Sequence, residues 1–417
     1  MILHIDFNSY FATVEQQANP RLRGKPVGVT GGDRMKRTVL GAASVEAKKL
    51  GVKTGMQIWE ACKLCPDIIL VQGDSDKYLE CTKRFLNILK DYSPYLEVFS
   101  IDECFLEVTG NRLQATEIAK NIKSRIKQEI GEWITCSIGI SYNKLMAKLA
   151  GSLQKPDGLV MISNQAEAIK VLDKIELDEI CGIGSRIKKR LNNMGIFDFR
   201  SLRKAPLPAL LASFKSYGQF LYDVSRGIDH SEIVPFWQKE EVKSVGHRHT
   251  IDHDTNDPDE IKQILLKLCE MVASRLRAKN LLGKTIHCWY RQAFHLRGEE
   301  MQLHLGGVFY GDSMQATISY TNDGLEIFQS AWKIFNQIWD ESAIRMIGVS
   351  VSNLKPQNPQ NLTLLKDIQQ KDLINQILDK VNNKFGEFTL QRGILLTSSQ
   401  IHRKVNPFLS DRRFKLV

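Results

Sequence analysis

Two acidic segments constrain this chain more than anything else in it: ILHIDFN at residues 2–8 and VFSIDECFLEV at residues 98–108. Each sets carboxylates inside an apolar strand pattern. Residues 2–8 alternate as a strand, so Asp6 shares a face with His4 and Asn8. The second segment reads as a hairpin with Asp102 and Glu103 at its tip, where neighbours that would diverge in a regular strand can face one site. Carboxylates gathered without partners are costly, so Asp6, Asp102 and Glu103 invite a cation. Two hard divalent ions about 3.5–4 Å apart, clamping a nucleoside triphosphate, need such an all-oxygen site.

The rest of the chain bounds this reading. At 417 residues it is too long for one core and suggests two to four domains. No run of about 18 apolar residues exists, so no membrane partner is expected. The N-terminus runs straight into a strand carrying His4 and Asp6, unlike a signal peptide, and a cytoplasmic protein is expected. The eight cysteines are scattered, with Cys62 and Cys65 the only close pair, and read as reduced and mostly buried. The net charge of +10 suggests a polyanionic partner. Its excess lies at the two ends: residues 1–165 carry 22 basic and 18 acidic side chains, and residues 356–417 carry 10 and 5.

Strands and helices intermix up to residue 165, with a glycine-punctuated insertion at 25–75 and an amphipathic helix marked by Ile118, Ile122, Ile126 and Ile130. Residues 173–228 read as helical, and Pro235–Val242 as a charged linker. From Lys243 the order reads β-α-β-β-β-α-β, followed by a tail with a candidate helix over 371–385. In ICGIGSRIKKRLNNMGI (residues 180–196), Gly182 and Gly184 permit a tight turn whose N–H groups can face a phosphate, with Ser185, Arg186 and Lys188 as further donors.

Five separated segments, IDFNSYFATVE, AASVEAKKLGVKTGM, SIDECFLEV, CSIGISYNKLMAKLAGSLQKPDGL and ICGIGSRIKKRLNNMGI, stand in the order of the Y-family translesion DNA polymerases. The chain resembles that family from Met1 to about Leu354, and within it the bacterial DNA polymerase IV and UmuC-like group. The resemblance implies an α+β right-hand polymerase: a palm at 1–11 and 76–165, small fingers at 12–75, a helical thumb with a helix-hairpin-helix at 166–235, a linker at 236–242, a separate α+β little finger at 243–355 and a tail at 356–417. It implies a monomeric, template-directed polymerase that copies damaged DNA with low fidelity and no proofreading.

By the same resemblance, Asp6, Asp102, Glu103 and the Phe7 carbonyl hold two Mg²⁺ ions, and Phe11 is a steric gate against ribonucleotides. Tyr10, Phe11, Lys48 and Lys155 bind the deoxynucleoside triphosphate, with Lys144 near the metals or DNA. Primer-template DNA is gripped by the helix-hairpin-helix and by Lys243, Ser244, Arg248 and Thr250. Val45 and Lys48 depart from the usual tyrosine and arginine, which puts the triphosphate grip in doubt, with Lys36 or Arg37 as substitutes. Asn8 replaces a common aspartate but still offers an oxygen. Gln360, Leu362, Leu364 and Leu365 resemble a sliding-clamp docking motif. A catalytically weak DNA- and clamp-binding scaffold, or another palm-type enzyme such as a nucleotidyl cyclase, stay open as alternatives.

Overall fold

The computed structural model describes residues 1–31, 38–108, 112–238, 241–293, 310–357 and 366–396. The chain divides near residue 240 into two compact units.

The first unit is built on a five-stranded sheet, β5-β6-β1-β7-β8, of β1 (Ile2–Phe7), β5 (Leu96–Val98), β6 (Glu103–Glu107), β7 (Cys136–Ser141) and β8 (Leu159–Ile162). All neighbours are antiparallel except β7 and β8. Leu3, Ile5 and Phe7 share one core with Phe85, Leu86 and Leu89 of α4 (Ser75–Lys90) and with Ile122 and Ile126 of α5 (Arg112–Glu129). A one-residue slip of β1 would expose these three side chains at roughly 1.5–3 kcal/mol each and bury Asp6 in their place. The apolar face thereby fixes where the acidic face points.

That acidic face meets α6 (Lys144–Leu153). The helix lies directly on β7 because position 139 is glycine: a Cβ there would stand 2.0 Å from the Ala147 carbonyl oxygen and 2.2 Å from the Gly151 nitrogen. Met146, Leu149 and Ala150 of α6 also share a core with the helical segment that follows, so packing runs on without a break across residues 165–166. That segment holds α7 (Gln165–Leu172), α8 (Ser185–Asn192), α9 (Phe199–Lys204), α10 (Leu207–Phe214) and α11 (Tyr217–Val224).

The insertion after α1 (Tyr10–Ala18) forms a three-stranded sheet, β3-β2-β4, of β2 (Val27–Thr30), β3 (Leu40–Ala43) and β4 (Ile69–Gln72). Two short helices accompany it, α2 (Val45–Lys49) and α3 (Ile58–Leu64), around a small core of Leu40, Ala43, Val52 and Ala61. The segment read as a linker begins bound rather than loose. The Phe236 amide donates to the Leu96 carbonyl at 2.9 Å, and the Val234 amide donates to Glu97 Oε2 at 2.8 Å.

The second unit is an antiparallel sheet, β11-β10-β12-β9, of β9 (Ser244–Thr255), β10 (Leu281–Gln292), β11 (Ser313–Thr321) and β12 (Ile344–Pro356). Helices α12 (Pro258–Ala278) and α13 (Gly324–Ile338) cover one face, where Ile286, Cys288, Ile347, Val349 and Val351 are buried. Two strands rather than three stand between these helices among the described residues. The tail is also more than a tail: α14 (Lys366–Phe385) is tied to α12 by a two-pronged Arg277–Asp379 pair at 2.6 and 2.8 Å. Asn375, buried on α14, donates to Asp323 at the start of α13 at 3.0 Å. Among the described residues, no helix is long and apolar enough to cross a membrane.

Candidate active site

Strand pairing brings the two acidic segments side by side. Asp6 lies opposite Glu103 in the β1–β6 register, and the Phe7 amide donates to the Asp102 carbonyl at 3.0 Å. Glu103 is the first residue of β6 rather than part of the turn, and only Asp102 belongs to the tip. Asp6 and Asp102 face a cleft of about 530 Å³, together with Phe7, Phe11, Val45, Lys48 and Lys155.

Glu103 stands beside Asp6 on the side of α6. Its Oε2 accepts from His4 Nε2 at 3.1 Å and from Lys148 Nζ, while Asp6 Oδ2 accepts from Lys155 Nζ at 2.5 Å. Asp102 Oδ1 accepts from Ser100 Oγ at 2.5 Å. Oxygen atoms of Asp6 and Glu103 and a ring nitrogen of His4 all lie within 4.8 Å of one another.

Electrostatics separates the carboxylates. Burial opposes ionisation of Glu103, but the His4 and Lys148 hydrogen bonds outweigh it and hold the pKa at about 2. Burial pushes Asp102 up; its Ser100 bond opposes this, and the charges of Asp6 and Glu103 add to the rise. Burial also lowers the pKa of His4, so its imidazole is neutral and Nε2 carries the proton given to Glu103. Its Nδ1 is buried without a partner. This donor set fits a hard divalent cation: crowded carboxylates around an acidic group whose ionisation their mutual repulsion resists.

The structure alters several expected roles. Tyr10 is buried, and its hydroxyl is engaged with the Tyr78 carbonyl at 2.8 Å and Thr82 at 2.7 Å, so only its backbone borders the cleft as a polar group. The Asn8 amide is engaged at both ends: its oxygen accepts from Thr135 Oγ1 at 3.1 Å and the Asp157 amide at 2.8 Å, and its nitrogen donates to Ser137 at 3.0 Å. It pins β1 to the Asp157 loop instead of facing a metal. Lys144 pairs with Glu97 at 2.7 Å and donates to the Glu232 carbonyl at 3.1 Å, away from the acidic cluster. Lys148, one turn on, carries the contact to Glu103, and nothing in the sequence gave His4 that task beyond its shared face with Asp6.

Phe11 stacks on Tyr78 with centroids 4.7 Å apart and presents its ring at the cleft. Lys48 also reaches the cleft, its pKa lowered by burial and by the nearby Lys155 charge. Lys36 and Arg37 lie outside the described residues, as do Gln360, Leu362, Leu364 and Leu365.

The candidate DNA contacts fall in two places. In the first unit, Gly182, Gly184, Ser185 and Arg186 are exposed at the start of α8. Lys188 is bridged to Glu176 at 3.0 Å and Asp178 at 2.8 Å, so its charge is already neutralised. In the second, Lys243, Ser244 and Arg248 are exposed and Thr250 is half-buried. Ser244, Arg248 and Thr250 alternate with the buried Val245 and Ile251, so they lie on the face opposite α12 and α13.

Comparison with known proteins agrees with this arrangement. The impB/mucB/samB family model matches residues 5–152, and the model of that family's C-terminal domain matches residues 242–364. The protein called DNA polymerase IV in Pelotomaculum thermopropionicum is 36% identical over 97% of both chains. Its namesake in Moorella thermoacetica is 34% identical over 96% of this chain and 97% of its own. A solved Y-family DNA polymerase chimera of Dbh and Dpo4 superposes with a TM-score of 0.71 at 27% identity, covering 84% of this chain and 98% of the other. An insertion ternary complex of Dbh DNA polymerase gives a TM-score of 0.55 at 26% identity with the same coverage. With its mixed α+β build of palm, fingers, thumb and little finger, the chain belongs to the impB/mucB/samB family of Y-family translesion DNA polymerases, a fold that uses divalent metal.

Proposed function

We propose that Asp6, Asp102 and Glu103, with the Phe7 carbonyl, hold two Mg²⁺ ions and that this chain extends a primer on damaged template DNA. The observation that carries this reading is the cleft itself, where Asp6 and Asp102 face Lys48 and Lys155 beside the half-buried Phe11. Bound magnesium supplies positive charge at the primer 3′-oxygen and along the triphosphate. The 3′-oxygen bonds to the α-phosphorus as the bond to the pyrophosphate oxygen breaks, and the chain's own groups orient the reactants.

Lys155 pairs with Asp6, and its side chain is 41% exposed, so it can exchange that carboxylate for a phosphate oxygen when nucleotide enters. Lys48 adds a second ammonium, a point charge rather than a fork. The first turn of α1, which borders the same cleft, has backbone N–H groups that no helical carbonyl uses. Phe11, braced by Tyr78, lies where a sugar would rest and excludes a 2′-hydroxyl by contact.

Primer extension on undamaged and abasic templates tests the reading. The double variant Asp102→Ala/Glu103→Ala is expected to lose about three orders of magnitude in rate while binding primer-template as wild type does. Equal activity in the variant would remove these residues from the site. Phe11→Ala is expected to admit ribonucleotides, and unchanged sugar selectivity would place the gate elsewhere.

A further inference from the structure

On the face of the second unit's sheet opposite α12 and α13, one side chain is out of keeping with its surroundings. Trp289 sits in β10 with Ser313 on one neighbouring strand, Gly348 on the other and Arg248 beyond Gly348. Strand alternation sends Cys288 and Tyr290 into the core and leaves Trp289 on the opposite face, partly exposed. A Cβ at Gly348 would stand 2.5–2.6 Å from three indole atoms, Cε2, Cζ2 and Nε1, so the ring lies across the glycine with its other face outward. The indole of Trp289 makes no hydrogen bond and no ring contact among the described residues. Arg291 lies two residues along β10 on the same face as Trp289, and burial and the charges of Arg345 and Arg248 lower its pKa. Arg345 is satisfied by Asp254 at 2.9 and 3.0 Å, whereas Arg248 is exposed and makes no ion pair among the described residues.

A large aromatic plate set between a serine and a glycine, with cationic neighbours on its face, has the chemistry of a stacking platform for a nucleobase. Duplex DNA presents phosphates and groove edges, and its base faces are already stacked. An outward indole face therefore gains most from an unpaired base. Template-directed synthesis supplies one, because the template ahead of the insertion point is single-stranded.

We propose that Trp289, cradled by Gly348 and flanked by Arg248, binds an unpaired template nucleotide by stacking. This rests on the reading of the chain as a DNA polymerase and adds a site to it. The test measures affinity of the full-length protein for two DNAs, a blunt duplex and the same duplex with a 5′ template overhang. Trp289→Ala is expected to lose about five-fold or more in affinity for the overhang DNA and to match wild type on the blunt duplex. Trp289→Phe should restore most of the loss, and Gly348→Ala, which displaces the ring, should reproduce it. Circular dichroism of each variant separates misfolding from lost stacking. Equal affinity of Trp289→Ala and wild type for both DNAs, or equal loss on both, would overturn the platform. Failure of the wild-type protein to bind either DNA would instead overturn the polymerase reading.

Discussion

His4 shows how one buried side chain tunes a carboxylate, here Glu103, which we propose as a metal ligand. It is 1% exposed and shares Glu103 Oε2 with Lys148, so the other carboxylate oxygen lies outside both bonds. Groups that orient metal ligands in this way typically alter metal affinity or activity 10–100-fold when removed. His4→Ala is expected to raise the Mg²⁺ concentration needed for half-maximal extension by roughly ten-fold or more. His4→Gln, which keeps a donor, should recover part of that. A variant with an unchanged magnesium titration would reduce His4 to a packing residue. The sequence showed that His4 and Asp6 share a face, but not the partner across the sheet, since Glu103 is 99 residues away in the chain.

At the scale of elements, helix α6 is the piece that organises the site. Its first turn is fastened by Lys144, which grips Glu97 on β5 and the Glu232 carbonyl, with both side chains nearly buried. Its second turn delivers Lys148 to Glu103, and its small residues let it rest on β7 at Gly139. Lys144→Ala would leave Glu97 buried without its main partner, and removing one member of such a pair destabilises strongly. The expected loss is about 3 kcal/mol in urea unfolding, with the midpoint lowered and the slope unchanged. A change under 0.5 kcal/mol would mean that Glu97 finds solvent or another donor. The spacing of Lys144 and Lys148 placed both on one helical face. Tertiary packing separated their tasks, because the sheet edge lies under one turn and the acidic cluster under the next.

Across the whole molecule, the chain offers DNA a net charge of +10 and exposed donors in both compact units. Binding to primer-template should therefore be strongly salt-dependent, since each phosphate neutralised releases counterions. Raising monovalent salt from about 50 to about 200 mM is expected to weaken affinity on the order of a hundred-fold, with log affinity linear in log salt. A flat response would mean that polar and stacking contacts, rather than phosphate neutralisation, hold the DNA. Lys188, bridged to two carboxylates, should contribute little to that slope, whereas Arg186 and Arg248 should each contribute.

The sequence alone made several elements and the family legible. Alternation in residues 2–8 set the strand and its acidic face, Lys144–Leu153 began and ended as its pattern implied, and the motif order pointed to the polymerase family. These are legible because they follow from local periodicity and side-chain chemistry. What tertiary structure decided is which partners each group meets. Asn8 pins a loop, Tyr10 turns its hydroxyl into the core, Lys188 is neutralised, the tail helix is fastened to the second unit by Arg277, and Trp289 lies across a glycine on a neighbouring strand. Each depends on contacts between residues distant in the chain, and no local pattern encodes which distant residue will arrive.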